Sequence, residues 1–320
     1  DVKFSFDRAL DPQTKTFFMP FISTIKEVKI IDDYTIQIIT NGPDPILLKR
    51  LSFSLFILPA DLFQEKGAEA FFKNPVGTGP FKFVSWTRND RMVLEANEAY
   101  WDGAPKIKRL IFRPVPEVAT KIAELQTGNA DVITNIPPFL VDQVKNSPNS
   151  VVQSVPSGRV MFLYINCLTD GPLKDKRVRQ ALNYAVDRKA IIDNVLKGSG
   201  VQMPVNLTPL HFAFDGDLKP YPYDPEKAKE LLAEAGYAKG LKLVFNSPSG
   251  RYILDKEIAQ AITGMYNAVG IETDMKIHEW GSYTQMLTGK RLQDIGFIGW
   301  SLVLADPDST FVPYFTPESA

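Results

Sequence analysis

The second part of the chain, from residue 205 onward, alternates between stretches of helical and of strand-like periodicity. The strand-like stretches, which are apolar and rich in β-branched and aromatic residues, are residues 241–246, 271–277 and 294–300. A helix is predicted to begin at the N-cap Asp224 with Pro225 in its first turn, and further helices are predicted over residues 255–269 and 282–288. Such a series is typical of a parallel sheet covered by helices on both faces, so the sequence predicts an α/β fold here.

The first part of the chain shows antiparallel hairpin signals. Paired strand-like runs that are separated by short polar turns occur at residues 25–31 and 34–40, and again at 81–86 and 92–96. Each pair predicts a β-hairpin. Residues 108–115, 118–125 and 131–133 then predict a strand, a helix and a short buried strand, which together indicate a β-α-β unit.

Residues 158–208 lie between these two parts, and we interpret them as the region where the chain passes from one lobe to the other. A strand-like run at residues 160–166 precedes a predicted helix beginning near Asp175 and a second helical segment capped by Asp187. Residues 201–208 then run extended into the α/β series. We predict that this extended run is the crossover between two lobes.

The composition narrows the class of function. Charge is balanced, with 36 Lys+Arg and 37 Asp+Glu, so we expect no nucleic-acid partner. Cys167 is the single cysteine, which excludes an internal disulfide, and the chain holds no recognisable metal spacing, so no metal or cofactor is predicted. No apolar run approaches the length of a membrane span. Asp1 is not a natural start, and we expect a piece of a longer protein that lacks both ends.

Seven segments, in this order along the chain, resemble those of one protein family. They are residues 1–6 (DVKFSF), 74–81 (NPVGTGPF), 100–103 (YWDG), 172–187 (PLKDKRVRQALNYAVD), 223–228 (YDPEKA), 279–283 (EWGSY), and 299–300 (GW) followed by 306–308 (DPD). The chain resembles the extracytoplasmic solute-binding proteins of ABC importers, namely the dipeptide/oligopeptide/nickel-binding family known as family 5. Any one segment is weak by itself, but the set is specific and spans essentially the whole chain.

The resemblance implies a fold and a division into domains. The expected fold is α/β, of the two-lobed periplasmic-binding-protein type (class II), with an extra α+β subdomain in the first lobe. Residues 1–103 would form most of that subdomain, 104–204 the core of the first lobe, and 205–320 part of the second lobe.

The resemblance also implies a function. The protein would capture a peptide or peptide-like solute, for example an opine-like one, between its two lobes, and it would deliver the solute to the membrane subunits of an ABC permease. We expect a monomer in the periplasm, or one anchored by a lipid on the outer face of the cytoplasmic membrane, with no enzymatic activity.

Candidate ligand-binding residues follow from the rule that open α/β sheets bind ligands beyond the carboxyl ends of their strands. The rule selects Asn135, the loop that contains Arg251, and Trp300. An arginine can hold a carboxylate through two parallel hydrogen bonds, and the resemblance implies that role for Arg251, since peptide binders use an arginine near this position. Trp300 could stack on a solute or simply fill the core beside Phe297.

The remaining candidates concern the other end of the solute. Relatives that bind a free amino group place an aspartate three residues after the tryptophan, where this chain has Val303. An ammonium group would lose its counter-charge there, so a dipeptide with a free amino terminus is disfavoured unless its charge is met elsewhere. Arg159 and Tyr283 are weaker candidates. Asp306 and Asp308 are interpreted as caps of the following helix.

Two other functions stay open at this point. The first is a soluble hydrolase or transferase on a two-lobed α/β fold, although His211 and His278 lie far apart in sequence and Cys167 is interpreted as a packed thiol rather than a nucleophile. The second is a ligand-sensing or chaperone-like protein that uses the same fold.

Overall fold

The structure, a computed structural model, describes residues 1–14, 16 and 18–315, with the side chains of residues 313–315 left out. The chain divides into two compact units, unit 1 (Asp1–Val115) and unit 2 (Pro116–Ala320). Unit 1 is an α+β body with a two-stranded and a three-stranded sheet, and unit 2 is an α/β body with a four-stranded sheet. Each unit has its own hydrophobic core.

Unit 1 contains four α-helices and five strands among its described residues. In chain order they are α1 (Val2–Leu10), α2 (Met19–Ile22), β1 (Ile25–Asp32), β2 (Thr35–Thr40), α3 (Leu47–Ser54), α4 (Ala60–Lys73), β3 (Phe81–Thr87), β4 (Arg91–Ala96) and β5 (Arg109–Phe112). Strands β1 and β2 pair antiparallel, as do β3 and β4, so both predicted hairpins are confirmed. A buried cluster packs α1 and α2 against the first hairpin, and it comprises Phe6, Ala9, Ile22, Ile25 and Val28.

The predicted β-α-β unit after the second hairpin is wrong. Strand β5 pairs antiparallel with β4 and completes a three-stranded sheet, β3-β4-β5. Residues 131–133 form no strand, and the Val132 side chain is 80% exposed. A run of three residues acquires strand geometry only when a neighbouring strand supplies hydrogen-bond partners, and no described strand lies beside it.

Unit 2 contains the remaining α-helices and strands. They are α5 (Val118–Gln126), α6 (Val141–Lys145), β6 (Val160–Ile165), α7 (Lys176–Tyr184), α8 (Arg188–Ala190), which continues as a π-helical turn (Ile191–Val195), α9 (Pro225–Glu234), β7 (Leu241–Ser249), α10 (Asp255–Ala268), β8 (Ile271–Glu279), α11 (Trp280–Thr288), β9 (Ile295–Trp300) and α12 (Asp308–Phe315).

Local capping explains where three of these helices begin. The Asp175 carboxylate accepts a hydrogen bond from the Arg177 amide at 2.8 Å, and Asp224 accepts one from the Lys227 amide at 2.9 Å. Asp187 accepts one from the amide of Ala190 at the start of α8. Each carboxylate satisfies an amide that the helix itself leaves without a partner. The predicted caps at Asp187 and Asp224 are thus confirmed, and Asp175 caps the helix that was predicted to begin near it.

The sheet of unit 2 has the order β6-β9-β7-β8. Strand β7 is parallel to both β8 and β9, which confirms the predicted parallel pairing of the α/β series. Strand β6 runs antiparallel to β9, with Val160 opposite Trp300 and Ile165 opposite Ile295. The sheet as a whole is therefore mixed rather than parallel.

The core of unit 2 corrects the predicted lobe crossover. One buried cluster joins the apolar stripe of α7, which includes Val178 and Leu182, to residues of β7, α10 and β9, among them Phe245 and Tyr266. Residues before and after the predicted boundary at 204/205 thus share one core and, through β6 and β9, one sheet. The run 201–208 connects two parts of this body and does not separate two cores.

Candidate functional site

The loop between β7 and α10 is held by one buried carboxylate. Asp255, at the start of α10, is 3% exposed and accepts hydrogen bonds from the amides of Gly250 (3.1 Å), Arg251 (2.9 Å) and Tyr252 (3.0 Å). Amide donors compensate the carboxylate for its lost hydration. The backbone that carries Arg251 and Tyr252 is consequently well defined.

Two guanidinium groups flank the ring of Tyr252. The Cζ atom of Arg251 lies 5.6 Å from the centroid of this ring and 4.8 Å from that of Trp280, while the Cζ atom of Arg159 lies 5.5 Å from the Tyr252 centroid. These distances are within the range of cation–π attraction. We call Arg159, Arg251, Tyr252 and Trp280 the cationic–aromatic cluster.

The position of Arg159 depends on the backbone of β9. Arg159 Nη1 donates a 2.9 Å hydrogen bond to the Gly299 carbonyl, and the Tyr252 hydroxyl donates to the same oxygen at 3.3 Å. A Cβ atom on Gly299 would lie 2.4 Å from Met161 Sδ and 2.9 Å from Tyr252 Cε1. Only glycine allows this close approach without a shift of neighbouring groups.

Helix α11 contributes Trp280 to the cluster and Tyr283, which packs against Trp280. Glu279 caps it, and hydrogen bonds from the amides of Gly281 and Ser282 hold the pKa of the Glu279 carboxyl below its ordinary value. Trp280 stacks on Tyr283 with ring centroids 5.8 Å apart. Tyr283 is fully buried, and its hydroxyl donates a 2.8 Å hydrogen bond to the Phe297 carbonyl. It positions Trp280 and does not reach the surface.

Trp300 and Val303 lie at the end of β9 and in the loop that follows it. Both side chains are half-buried, and Trp300 Nε1 donates a 2.8 Å hydrogen bond to the Ser309 carbonyl. The Leu302 amide in this loop donates a 2.9 Å hydrogen bond to the Gly158 carbonyl, in the segment before β6. Asp306 Oδ1 accepts from the Asp308 amide at 3.1 Å, as its predicted capping role requires.

Asn135 makes no described contact with the cationic–aromatic cluster. Its backbone φ is +60° and its side chain is exposed, with no hydrogen bond to a described residue. Its selection depended on the strand at residues 131–133, which does not form. Conversely, sequence reasoning gave no role to Tyr252 or Trp280, although Tyr252 directly follows Arg251 and Trp280 lies in the EWGSY segment.

The polar groups considered for catalysis lie in separate surroundings. His211 is buried, and its Nδ1 accepts a 3.0 Å hydrogen bond from the Thr208 amide, whereas His278 Nε2 lies 2.9 Å from Asn246 Oδ1. Cys167 is exposed, so the prediction of a packed thiol is wrong. The physical reason is that β6 ends at Ile165 and Cys167 lies in the loop beyond it. Among the described residues, no group of three His, Cys, Asp or Glu side chains is placed to hold a metal.

The whole chain, residues 1–320, matches the family described as "Bacterial extracellular solute-binding proteins, family 5 Middle", and it therefore belongs to that family. The chain is 35% identical over 338 residues to heme-binding protein A of Haemophilus influenzae, a match that covers 98% of this chain and 60% of that protein. It is 31% identical to the dipeptide-binding protein of Escherichia coli, with 99% and 62% covered.

A solved structure shows the same fold. The ABC transporter-associated periplasmic binding protein DppA from Helicobacter pylori, in complex with the peptide STSA, superposes with a TM-score of 0.87 at 29% identity, covering 97% of this chain and 63% of that one. The family resemblance and the α/β, class II periplasmic-binding-protein fold predicted from the sequence are thus confirmed. This chain spans about 60% of the length of the curated relatives it matches. In the described part of the chain, every helix is too short or too polar to cross a membrane.

Proposed function

We propose that the protein containing this chain is the solute-binding component of an ABC importer and that it captures a peptide or peptide-like solute. The observation that carries the proposal is the environment of the Arg251 guanidinium. This group is exposed, its Cζ atom lies 4.8 Å from the centroid of the Trp280 ring, and it forms no ion pair with a described residue. The stacked face leaves the edge N–H groups able to hold a carboxylate.

The other predicted ligand residues also have a role in this proposal. Arg159 offers the nitrogens that do not bind Gly299, and Trp300 and Val303 provide apolar surface at the end of β9. Asn135 stays a proposed contact through its exposed amide. Tyr283 acts indirectly in this proposal, because its buried ring supports Trp280.

We propose further that the solute is released unchanged to permease subunits, and that the protein acts as a monomer outside the cytoplasmic membrane, in the periplasm or held there by a lipid. The chain belongs to a solute-binding family, and the DppA structure contains a bound peptide. Both findings support this proposal over the hydrolase or transferase alternative. The widely different surroundings of His211 and His278 also give no support to a shared catalytic site.

The proposal is tested on the full-length protein by native mass spectrometry followed by release and identification of the bound molecule. We expect a small molecule that is recovered unchanged and that raises the melting temperature when it is added back. The variant Arg251→Gln should lose most of this shift, while the exposed control Arg291→Gln should keep it. Recovery of only a chemically converted molecule would contradict the proposal.

A further inference from the structure

The cationic–aromatic cluster carries two positive charges that no described side chain neutralises. Arg159 and Arg251 each lie within 5.6 Å of the Tyr252 ring centroid, and neither forms an ion pair within the described part of the chain. Two guanidinium groups near one ring create a local positive potential that attracts an anion. The arrangement is therefore suited to a negative partner.

The acidic groups closest in the chain to this cluster are already engaged. Both oxygens of Asp255 accept amide hydrogen bonds from its own loop and helix. Glu279 is bonded to the first turn of α11. Asp255 is buried and is therefore committed to its own loop, whereas Glu279 is exposed and caps α11.

The strand directions explain why the two arginines meet. Arg251 follows the carboxyl end of β7, and Arg159 precedes β6. Because β6 runs antiparallel to β9, its first residues lie beside the last residues of β9, with Val160 opposite Trp300. Both side chains consequently reach the same edge of the sheet, next to the apolar loop of residues 302–304.

We infer that this cluster selects a solute with two acidic groups and no ammonium group at the end that it contacts, that is, a dicarboxylate of the N-acylated or opine-like kind. This inference rests on the proposed function and specifies its solute class. One carboxylate binds the edge of Arg251 and the second binds the free nitrogens of Arg159. An ammonium group in that place would be repelled by two guanidinium groups.

Three probes that share an Ala-Ala core but differ in the charge at the amino end test the inference on full-length protein freed of its own solute. They are Ala-Ala, N-acetyl-Ala-Ala and N-succinyl-Ala-Ala, whose amino ends are cationic, neutral and anionic. By isothermal titration we expect the succinyl probe to bind about 10- to 100-fold more tightly than the acetyl probe, and Ala-Ala to bind most weakly.

Variants distinguish the roles of the two arginines. Arg159→Gln should reduce the ratio of succinyl to acetyl affinity about tenfold, whereas Arg159→Lys, which keeps the charge, should restore part of that ratio. Arg251→Gln removes the partner of the carboxylate that both probes share, so it should weaken the binding of both probes by a similar factor. A purely structural role of Arg159 would weaken both probes equally. Arg291→Gln is the matched control, since Arg291 lies before β9, at the amino end of that strand.

The inference fails if Ala-Ala binds as tightly as the succinyl probe, if none of the three probes binds, or if Arg159→Gln leaves the ratio unchanged. These outcomes are separate from failure of the proposed function, which is judged by whether the purified protein holds and releases an unaltered small molecule of any charge.

Discussion

Arg159 and Gly299, which are 140 residues apart in the sequence, are joined by a 2.9 Å hydrogen bond from Arg159 Nη1 to the Gly299 carbonyl. The bond exists because β6 and β9 pair antiparallel, which places the residue before β6 next to the end of β9. It places a guanidinium against Tyr252, and it makes the backbone of one glycine part of the candidate site.

Gly299→Ala should therefore destabilise the protein. The new methyl group would meet Met161 Sδ at 2.4 Å, Tyr252 Cε1 at 2.9 Å and Arg159 Cδ at 3.0 Å, and we expect a loss of about 1–3 kcal/mol from overpacking. Urea unfolding monitored by circular dichroism measures this loss.

A matched control for Gly299 lies in α10. A Cβ atom on Gly264 meets nothing within 4 Å, so Gly264→Ala should be neutral or should stabilise the protein by about 0.5–1 kcal/mol through helix propensity. Equal effects of the two substitutions would mean that the close approach at Gly299 is not present in solution.

Asp255→Asn should loosen the loop that carries Arg251. A carboxamide has one acceptor oxygen, and its NH₂ group would face amide N–H groups that now bind the second carboxylate oxygen at 2.9 and 3.0 Å. We expect a loss of about 1–3 kcal/mol and faster hydrogen exchange at residues 250–252. Glu257→Gln, an exposed change in the same helix, is the control and should leave that exchange unaltered.

Stability should fall above about pH 10 because of buried tyrosines. Burial raises the pKa of Tyr266 and of Tyr283 above the ordinary value of 10.0. Above that pH the unfolded chain loses the phenolic proton while the native state keeps it. The native state then binds more protons, so each tyrosine lowers the free energy of unfolding by up to about 1.4 kcal/mol per pH unit.

Tyr266→Phe tests this pH dependence with little loss of stability at pH 7, because the Tyr266 hydroxyl has no hydrogen-bond partner among the described residues. We expect the variant to match or exceed the native stability at pH 7 and to show a shallower decline between pH 10 and 11 in urea titrations. Tyr283→Phe should flatten the decline too, but it should cost about 1 kcal/mol at pH 7, since Phe297 loses its donor. An unchanged alkaline slope in both variants would contradict the prediction.

In unit 1 the pair of Asp44 and Arg50 should be important for stability. Asp44 Oδ2 lies 3.0 Å from Arg50 Nη1 and accepts a 2.6 Å hydrogen bond from Thr24 Oγ1, and the Asp44 side chain is only 4% exposed. Asp44→Ala removes a buried carboxylate that both Arg50 and Thr24 use as an acceptor, and we expect a loss of about 3–5 kcal/mol in thermal or urea unfolding.

The control for Asp44 is an exposed pair in the same unit. Asp7 and Lys3 form a 2.8 Å ion pair with both side chains exposed, so Asp7→Ala should cost less than about 1 kcal/mol. A loss at Asp44 as small as that at Asp7 would show that the buried pair adds no stability.

Local sequence signals were sufficient for much of the fold. The helix start near Asp175, the caps at Asp187 and Asp224, and the two hairpins depend on residues within a few positions of one another, and the structure confirms them. The family could also be recognised, because its segments are read in order along the chain. For the candidate site, the sequence indicated Arg251 and Trp300 from the ends of strands but gave no role to Tyr252 and Trp280.

The sequence by itself determined the α/β character of the chain, its family and the starts of its helices, since these depend on residue type and periodicity. Only the tertiary structure decided which strands pair and in which direction. The run 131–133 forms no strand without a neighbour, whereas β6 joins β9 across the predicted lobe boundary. Strands that are distant in sequence compete for the same hydrogen-bond partners, and the pairing that forms here brings Arg159 to Tyr252.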